Sequence, residues 1–128
     1  MIHLDTSFVI RTLIRGTSED QKLRRWLKSG TEVAVSSVVW AEFLCGPLSE
    51  TELTLAVRVL GVPAPFRDVE GELAARLFNA SGRRRGTLID SMVGAAALAA
   101  NAPLATSNPA DFRRFESAGL RVVTAEDS

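Results

Sequence analysis

The chain has 128 residues, fifteen basic and fifteen acidic side chains, a formal net charge of zero and a single cysteine. This length suits one domain, spanning residues 1–128, with room for a real hydrophobic core. The charge balance excludes an overall pull toward nucleic acid or anionic membrane, the lone Cys45 excludes an internal disulfide framework, and no run of about eighteen apolar residues is present to cross a bilayer. No charged-then-apolar leader opens the sequence, so a soluble cytoplasmic protein is expected.

The chain begins with a short apolar strand, Ile2 to Leu4, that runs directly into Asp5, Thr6 and Ser7. Thr6–Ile14 reads as a helix closing at Gly16. Thr17-Ser18-Glu19-Asp20 opens a second helix, with hydroxyls for the cap, acids in the first turn and Leu23, Trp26 and Leu27 on one face. Val33–Ser36 is a second strand, and Ser37 caps a helix through Trp40, Glu42 and Phe43 that breaks at Gly46-Pro47. Ser49-Glu50-Thr51-Glu52 is a capping box for a helix running to Gly61. Val62–Pro65 carries too much proline for a central strand and reads as a connection or short edge piece.

Val69, Leu73, Leu77 and Phe78 are spaced as one helix face from Asp68 to about Ala80, followed by the loop Ser81–Gly86. The stretch from Leu88 to Ala100 is apolar nearly all round and reads as a buried helix. Leu104–Thr106 is a third strand, Pro109–Ala118 a last helix and Leu120–Val123 a final strand. Such alternation predicts an α/β fold, a mainly parallel sheet with helices on both faces.

In such a sheet the strand-to-helix junctions share one edge, where ligands bind. Asp5, Glu42 and Asp111 all fall at junctions of this kind, whereas Asp90 follows no clear strand. Each acid taken singly also reads as structural. Asp5 suits a helix cap, Thr87–Asp90 matches a capping box, and Asn108-Pro109-Ala110-Asp111 is a good helix start. Glu42 resists that reading because apolar residues flank it on both sides, so it must be solvated in a cleft or paired.

Two carboxylates ~4 Å apart repel by about 4 kcal/mol at an effective dielectric near 20, while a helix N-terminus offsets only ~0.3–1 kcal/mol per charge. Clustered acids therefore take up protons or hold a divalent cation. Oxygen-only ligands, with no supporting His or Cys, favour Mg²⁺ or Mn²⁺ over zinc. His3, the one histidine, lies inside a strand and reads as packing. Cys45 lacks a neighbouring base and reads as buried.

Four segments together resemble the PIN-domain family, and within it the VapC-type toxins of toxin–antitoxin pairs. Leu4-Asp5-Thr6-Ser7 is similar to the family's opening L-D-T-S/N. Val35–Phe43 is similar to its S-x-x-x-x-x-E-L segment, Asp90–Ala97 to D-x-x-I-A-A-x-A, and Leu104–Phe112 to L-v-T-x-N-x-x-D-F. Gly94 stands where Ala is usual, Phe43 where Leu is, and Val39 where a hydroxyl is frequent.

The resemblance covers essentially the whole chain. It implies a PIN-like three-layer α/β/α sandwich and a metal-dependent endoribonuclease whose Asp5, Glu42, Asp90 and Asp111 hold Mg²⁺ or Mn²⁺. It further implies a cognate VapB-type antitoxin, an RNA substrate and a homodimer. Thr6, Ser7, Ser107 and Asn108 lie beside the acids as supporting residues. Arg83, Arg84 and Arg85, between two glycines, are candidates for RNA phosphates or simply a solvated basic loop. The alternative function is a non-catalytic PIN-fold module that binds RNA or protein. A haloacid-dehalogenase-like phosphotransferase would need a second Asp two residues after Asp5, where Ser7 stands.

Overall fold

Strands of two or three residues suffice for a sheet when both faces are covered, and the apolar stretches at the predicted strand positions meet that condition. The computed structural model describes residues 1–127. Strand β1 (Ile2–Leu4) is followed by α1 (Thr6–Thr12) and α2 (Ser18–Lys28), then by β2 (Val33–Ala34), α3 (Ser37–Leu44) and α4 (Glu50–Leu60). Next come α5 (Asp68–Ala80), α6 (Leu88–Ala99), β3 (Leu104–Ala105), two 3₁₀ segments (Pro109–Asp111 and Arg113–Ala118) and β4 (Val122–Val123). All strand pairs are parallel, in the order β2-β1-β3-β4. The expected α/β architecture is the one observed. No helix among the described residues is long and apolar enough to cross a membrane.

This order places a topological switch between β1 and β3. The chain leaves β1 toward β2 on one side and later returns to β3 on the other, which opens a crevice at the carboxyl ends of these two strands. Asp5 N–H donates to the Ala105 carbonyl at 2.9 Å and Thr106 N–H to the Val123 carbonyl at 3.0 Å, so the ladder persists to the residues that face the crevice.

Beneath it the core is built on Leu4, Phe8, Val35, Val39, Phe43, Val93, Leu104, Phe112 and Phe115, all essentially inaccessible. Helix α6 buries Ser91 and Val93 to Ala97, as its apolar sequence predicts. Gly94 belongs to this contact, because a Cβ there would stand 3.2 Å from the Phe115 ring.

Several local expectations change. Helix α1 ends at Thr12 rather than Ile14, and β2 covers only Val33–Ala34, although Ser36 continues as a parallel bridge to Ala64. That bridge makes Val62–Pro65 a short edge piece, as its prolines allow. The capping box at Ser49–Glu52 forms in full. The one at Thr87–Asp90 does not: Thr87 has ψ near 5°, and its hydroxyl donates to the Arg84 carbonyl at 2.6 Å. The expected last helix is two 3₁₀ segments, with no side-chain cap from Asn108. Cys45, expected to be buried, is exposed at the end of α3, where the helix has run past the core.

Candidate functional site

Strand β1 runs directly into Asp5, which N-caps α1 and is only 7% exposed. Three donors converge on its carboxylate. The Thr6 amide donates to Oδ1 at 2.7 Å, while the Ser7 and Thr106 hydroxyls donate to Oδ2 at 2.7 and 2.8 Å. Both hydroxyls give their proton to Asp5, so their oxygens are free to accept. Ser7 Oγ accepts from the Ser107 amide at 3.2 Å, and Thr106 Oγ1 accepts from the Asn108 amide at 2.9 Å. The end of β1 and the end of β3 are thereby laced together through one carboxylate.

Glu42 projects from α3 into solvent and accepts the Thr6 hydroxyl at 2.7 Å. Asp5 and Glu42 are thus linked through one residue, Thr6, its amide bonded to the first acid and its hydroxyl to the second. Asp111 ends the first 3₁₀ segment and is exposed, and its carboxylate has no hydrogen-bond donor among the described residues.

Asp90 lies in the first turn of α6, facing Arg114, whose Nη2 donates to its Oδ2 at 3.2 Å. Its carboxyl is pushed up to about 6, by burial first and then by the charge of Asp111. Arg114 opposes the shift, and Asp5 and Glu42 add to it. Asp90 therefore sits in the field of all three other acids, and because no capping box forms at Thr87, it does not serve that structural purpose.

Among the described residues, no three His, Cys, Asp or Glu side chains converge closely enough to hold an ion as they stand. The chemistry of the donor set nonetheless fits a hard divalent cation: every candidate ligand is a carboxylate oxygen, and Asp90 is burdened by like charges that a cation would neutralise. The positive group in that place is Arg114. Its guanidinium lies 5.0 Å over the Phe115 ring, and its Nε is buried without a hydrogen-bond partner.

Three residues, Thr106, Arg114 and Glu19, were not among the site residues expected from the sequence. Thr106 and Arg114 are within or next to the segment around Asp111, and Thr106 was legible as the last residue of the third strand. Glu19 was read only as a first-turn acid of α2. It is buried, and Ser107 Oγ donates to its Oε2 at 2.7 Å.

Arg83, Arg84 and Arg85 lie in the exposed loop before α6. Arg83 adopts φ 51°, a left-handed conformation that a side chain disfavours, and its Nε donates to Asn79 Oδ1 at 3.0 Å. The charge that opposes the shift of Asp90 is that of Arg114 and not of this loop. His3 packs in the sheet as expected, with burial, and then the nearby N-terminus, holding its pKa below the usual histidine range. Away from the acids, an apolar cavity of about 320 Å³ opens between α1, α2 and α4, lined by Val9, Leu13, Leu23, Leu27, Leu55 and Val59 among others.

A family model described as the PIN domain matches residues 2–117. Among solved structures, a chain of the crystal structure of VapBC2 from Rickettsia felis, bound to a DNA fragment from their promoter, superposes with a TM-score of 0.75 at 22% identity over 97% of this chain and 98% of that one. A chain of a toxin–antitoxin complex from Klebsiella pneumoniae gives a TM-score of 0.75 at 22% identity over the full length of both. A chain of VapBC-1 from nontypeable Haemophilus influenzae gives 0.73 at 20% identity, over 99% of this chain and all of that one. Likeness at these identities is likeness of fold. No curated protein sequence matches the chain.

Proposed function

Because the chain belongs to the PIN-domain family, we propose that it is an endoribonuclease of the VapC type, the toxin of a toxin–antitoxin pair, hydrolysing RNA phosphodiesters at Asp5, Glu42, Asp90 and Asp111. The observation that carries this reading is Asp90, a half-buried carboxylate with no capping role, whose pKa is raised by burial first and then by the charge of Asp111, with Asp5 and Glu42 adding to it.

The four carboxylates are the residues that would hold Mg²⁺ or Mn²⁺, which when bound supplies positive charge to a phosphate oxygen and makes water a better nucleophile. The rest is the work of the chain. Thr6 and Ser7 fix the two oxygens of Asp5, Thr6 at the same time fixes Glu42, and Thr106 ties Asp5 to the segment that ends at Asp111. Ser107 and Asn108, whose amides are spent on that lacing, border the crevice as supporting residues. Arg114 holds Asp90 and offers a guanidinium to an RNA phosphate.

Among partners, a VapB-type antitoxin is proposed because the solved structures that resemble this chain are toxin–antitoxin complexes. The apolar cavity between α1, α2 and α4 gives such a partner a surface to bury beside the helix that Asp5 caps. A second copy of the chain is the other proposed partner. Leu44, Leu53, Leu55 and Val57 are exposed on α3 and α4, whereas Phe43 is buried and Trp26 stacks on Phe8 and is spent internally.

The test is cleavage of RNA by purified protein with Mg²⁺ or Mn²⁺, with EDTA, and for Asp90→Asn. Cleavage that needs the metal and disappears in the folded variant supports the reading. Absence of cleavage with both metals leaves the non-catalytic binding module as the better account.

A further inference from the structure

Glu19 is an acid in the wrong place for a simple helix start. Thr17 already caps α2, its hydroxyl accepting from the Asp20 amide. A first-turn glutamate facing water would complement the helix dipole without cost, yet Glu19 is turned inward and only 5% exposed. A buried carboxylate must be compensated by donors, and here they come from three directions. Ser107 Oγ donates to Oε2 at 2.7 Å, Ser18 Oγ donates to Oε1 at 3.1 Å, and Arg11 Nε lies 3.1 Å from Oε1. Burial alone would raise its pKa, but the bonds from Ser107, its own backbone, Arg11 and Ser18 outweigh that and hold it below the usual glutamate range.

The contact with Ser107 is the informative one, because it spans 88 residues and meets the lacing of Asp5. Ser107 N–H donates to Ser7 Oγ at 3.2 Å, and Ser7 Oγ donates to Asp5 Oδ2 at 2.7 Å. The next amide, Asn108, donates to Thr106 Oγ1, which donates to the same Asp5 oxygen. Ser107 is therefore held at one end by its amide near Asp5 and at the other by its hydroxyl on α2.

We infer that Glu19 is a positioning residue for Asp5, acting through Ser107 and Ser7 to fix the junction after β3 against the end of β1. The inference rests on the reading of Asp5 as a cation ligand only for its effect on metal affinity; its effect on the order of the junction stands apart.

The experiment compares the full-length wild type with Glu19→Ala, Glu19→Gln, Ser107→Ala and Thr17→Ala. Two quantities are measured, the Mg²⁺ dissociation constant obtained by fitting the rise of Tm with Mg²⁺ concentration to mass action, and amide hydrogen exchange at Ser107 and Asn108 in EDTA. Removing an outer partner of a metal ligand costs about 10–100-fold in affinity, so Glu19→Ala and Ser107→Ala should raise the Mg²⁺ dissociation constant about 10-fold and speed exchange at both amides. Glu19→Gln, which keeps an acceptor for Ser107, should return both toward wild type. Thr17→Ala removes the α2 cap without touching Glu19, and should lower Tm while leaving both unchanged.

If Glu19→Ala behaves like Thr17→Ala, the inference is overturned and Glu19 only stabilises α2. Should Glu19→Ala fail to fold, Ser107→Ala decides by the same two measurements. A wild type whose Tm responds to neither Mg²⁺ nor Mn²⁺ refutes the cation reading of the acids separately. Exchange at Ser107 and Asn108 then decides the role of Glu19, unchanged rates overturning it.

Discussion

Asp5 and Thr106, 101 residues apart in the sequence, share a 2.8 Å hydrogen bond across the carboxyl ends of two adjacent parallel strands. The Thr106 hydroxyl is wholly buried and has two obligations, donating to Asp5 and accepting from the Asn108 amide. Thr106→Val keeps the shape and removes both, leaving a carboxylate oxygen and an amide short of partners. The expected loss of stability is about 1–3 kcal/mol, measurable by denaturant unfolding, together with a loss of RNA cleavage. Unfolding at the wild-type denaturant midpoint would mean that water replaces the hydroxyl without cost.

Asp90→Asn should do more than remove activity. In the folded protein the Asp90 carboxyl keeps its proton up to about 6, whereas an unfolded chain releases it near 4. Between these values the folded state binds more protons, so this group's contribution to stability falls as pH rises through the window and stays lost above it. The variant should therefore melt higher than wild type at pH 7.5 and gain nothing at pH 4. A lower Tm for the variant at pH 7.5 would show that the Arg114 pair outweighs the repulsion.

Mg²⁺ should stabilise the wild type by mass action. At about ten times its dissociation constant the gain is about 1.4 kcal/mol, or roughly 4–6 °C in Tm for a domain of this size. The gain should shrink at pH 5, where a proton on Asp90 competes with the cation. A rise of the same size at both pH values would place the metal elsewhere.

Gly94→Ala would bring this chain to the residue usual at that place in the family it resembles. The methyl would stand 3.2 Å from the ring of Phe115, itself fully buried between Phe112 and the Arg114 guanidinium. Helix propensity gains about 1 kcal/mol from the change, but overpacking costs about 1–3 kcal/mol unless the buried ring shifts by a few tenths of an ångström. Calorimetry should show a lower Tm. A higher Tm would mean that the ring yields.

Replacing Arg83, Arg84 and Arg85 together with Ala should weaken RNA binding at low salt and flatten its dependence on salt concentration. The loop bears no core residue and lies in the open, so stability should change little. An unaltered salt slope would leave these residues as a solvated basic turn.

Most of the frame was legible because it depends on local signals. The alternation of apolar strands with capped helices predicts the parallel sheet, and Ser49–Glu52 caps α4 as its sequence requires. Misreadings cluster where long-range contacts override local preference. Thr87–Asp90 has the letters of a capping box, but the carboxylate of Asp90 is drawn to Arg114 and the hydroxyl of Thr87 to the preceding turn. Pro109–Ala118 has a helical start, yet Phe112 and Phe115 must both reach the core, and the segment tightens to 3₁₀ turns with both rings buried. Glu19 was invisible as more than a helix-start acid, since nothing in its neighbourhood along the chain announces a bond to Ser107.

Cys45 sits on the surface at the end of α3, three residues beyond Glu42, and no other thiol exists in the chain. A fluorophore or spin label attached there would need no prior removal of competing cysteines and would report from within about one helical turn of an acid of the crevice. Arrival of a metal, an RNA or a protein partner could then be timed as it happens, rather than inferred from the products left behind.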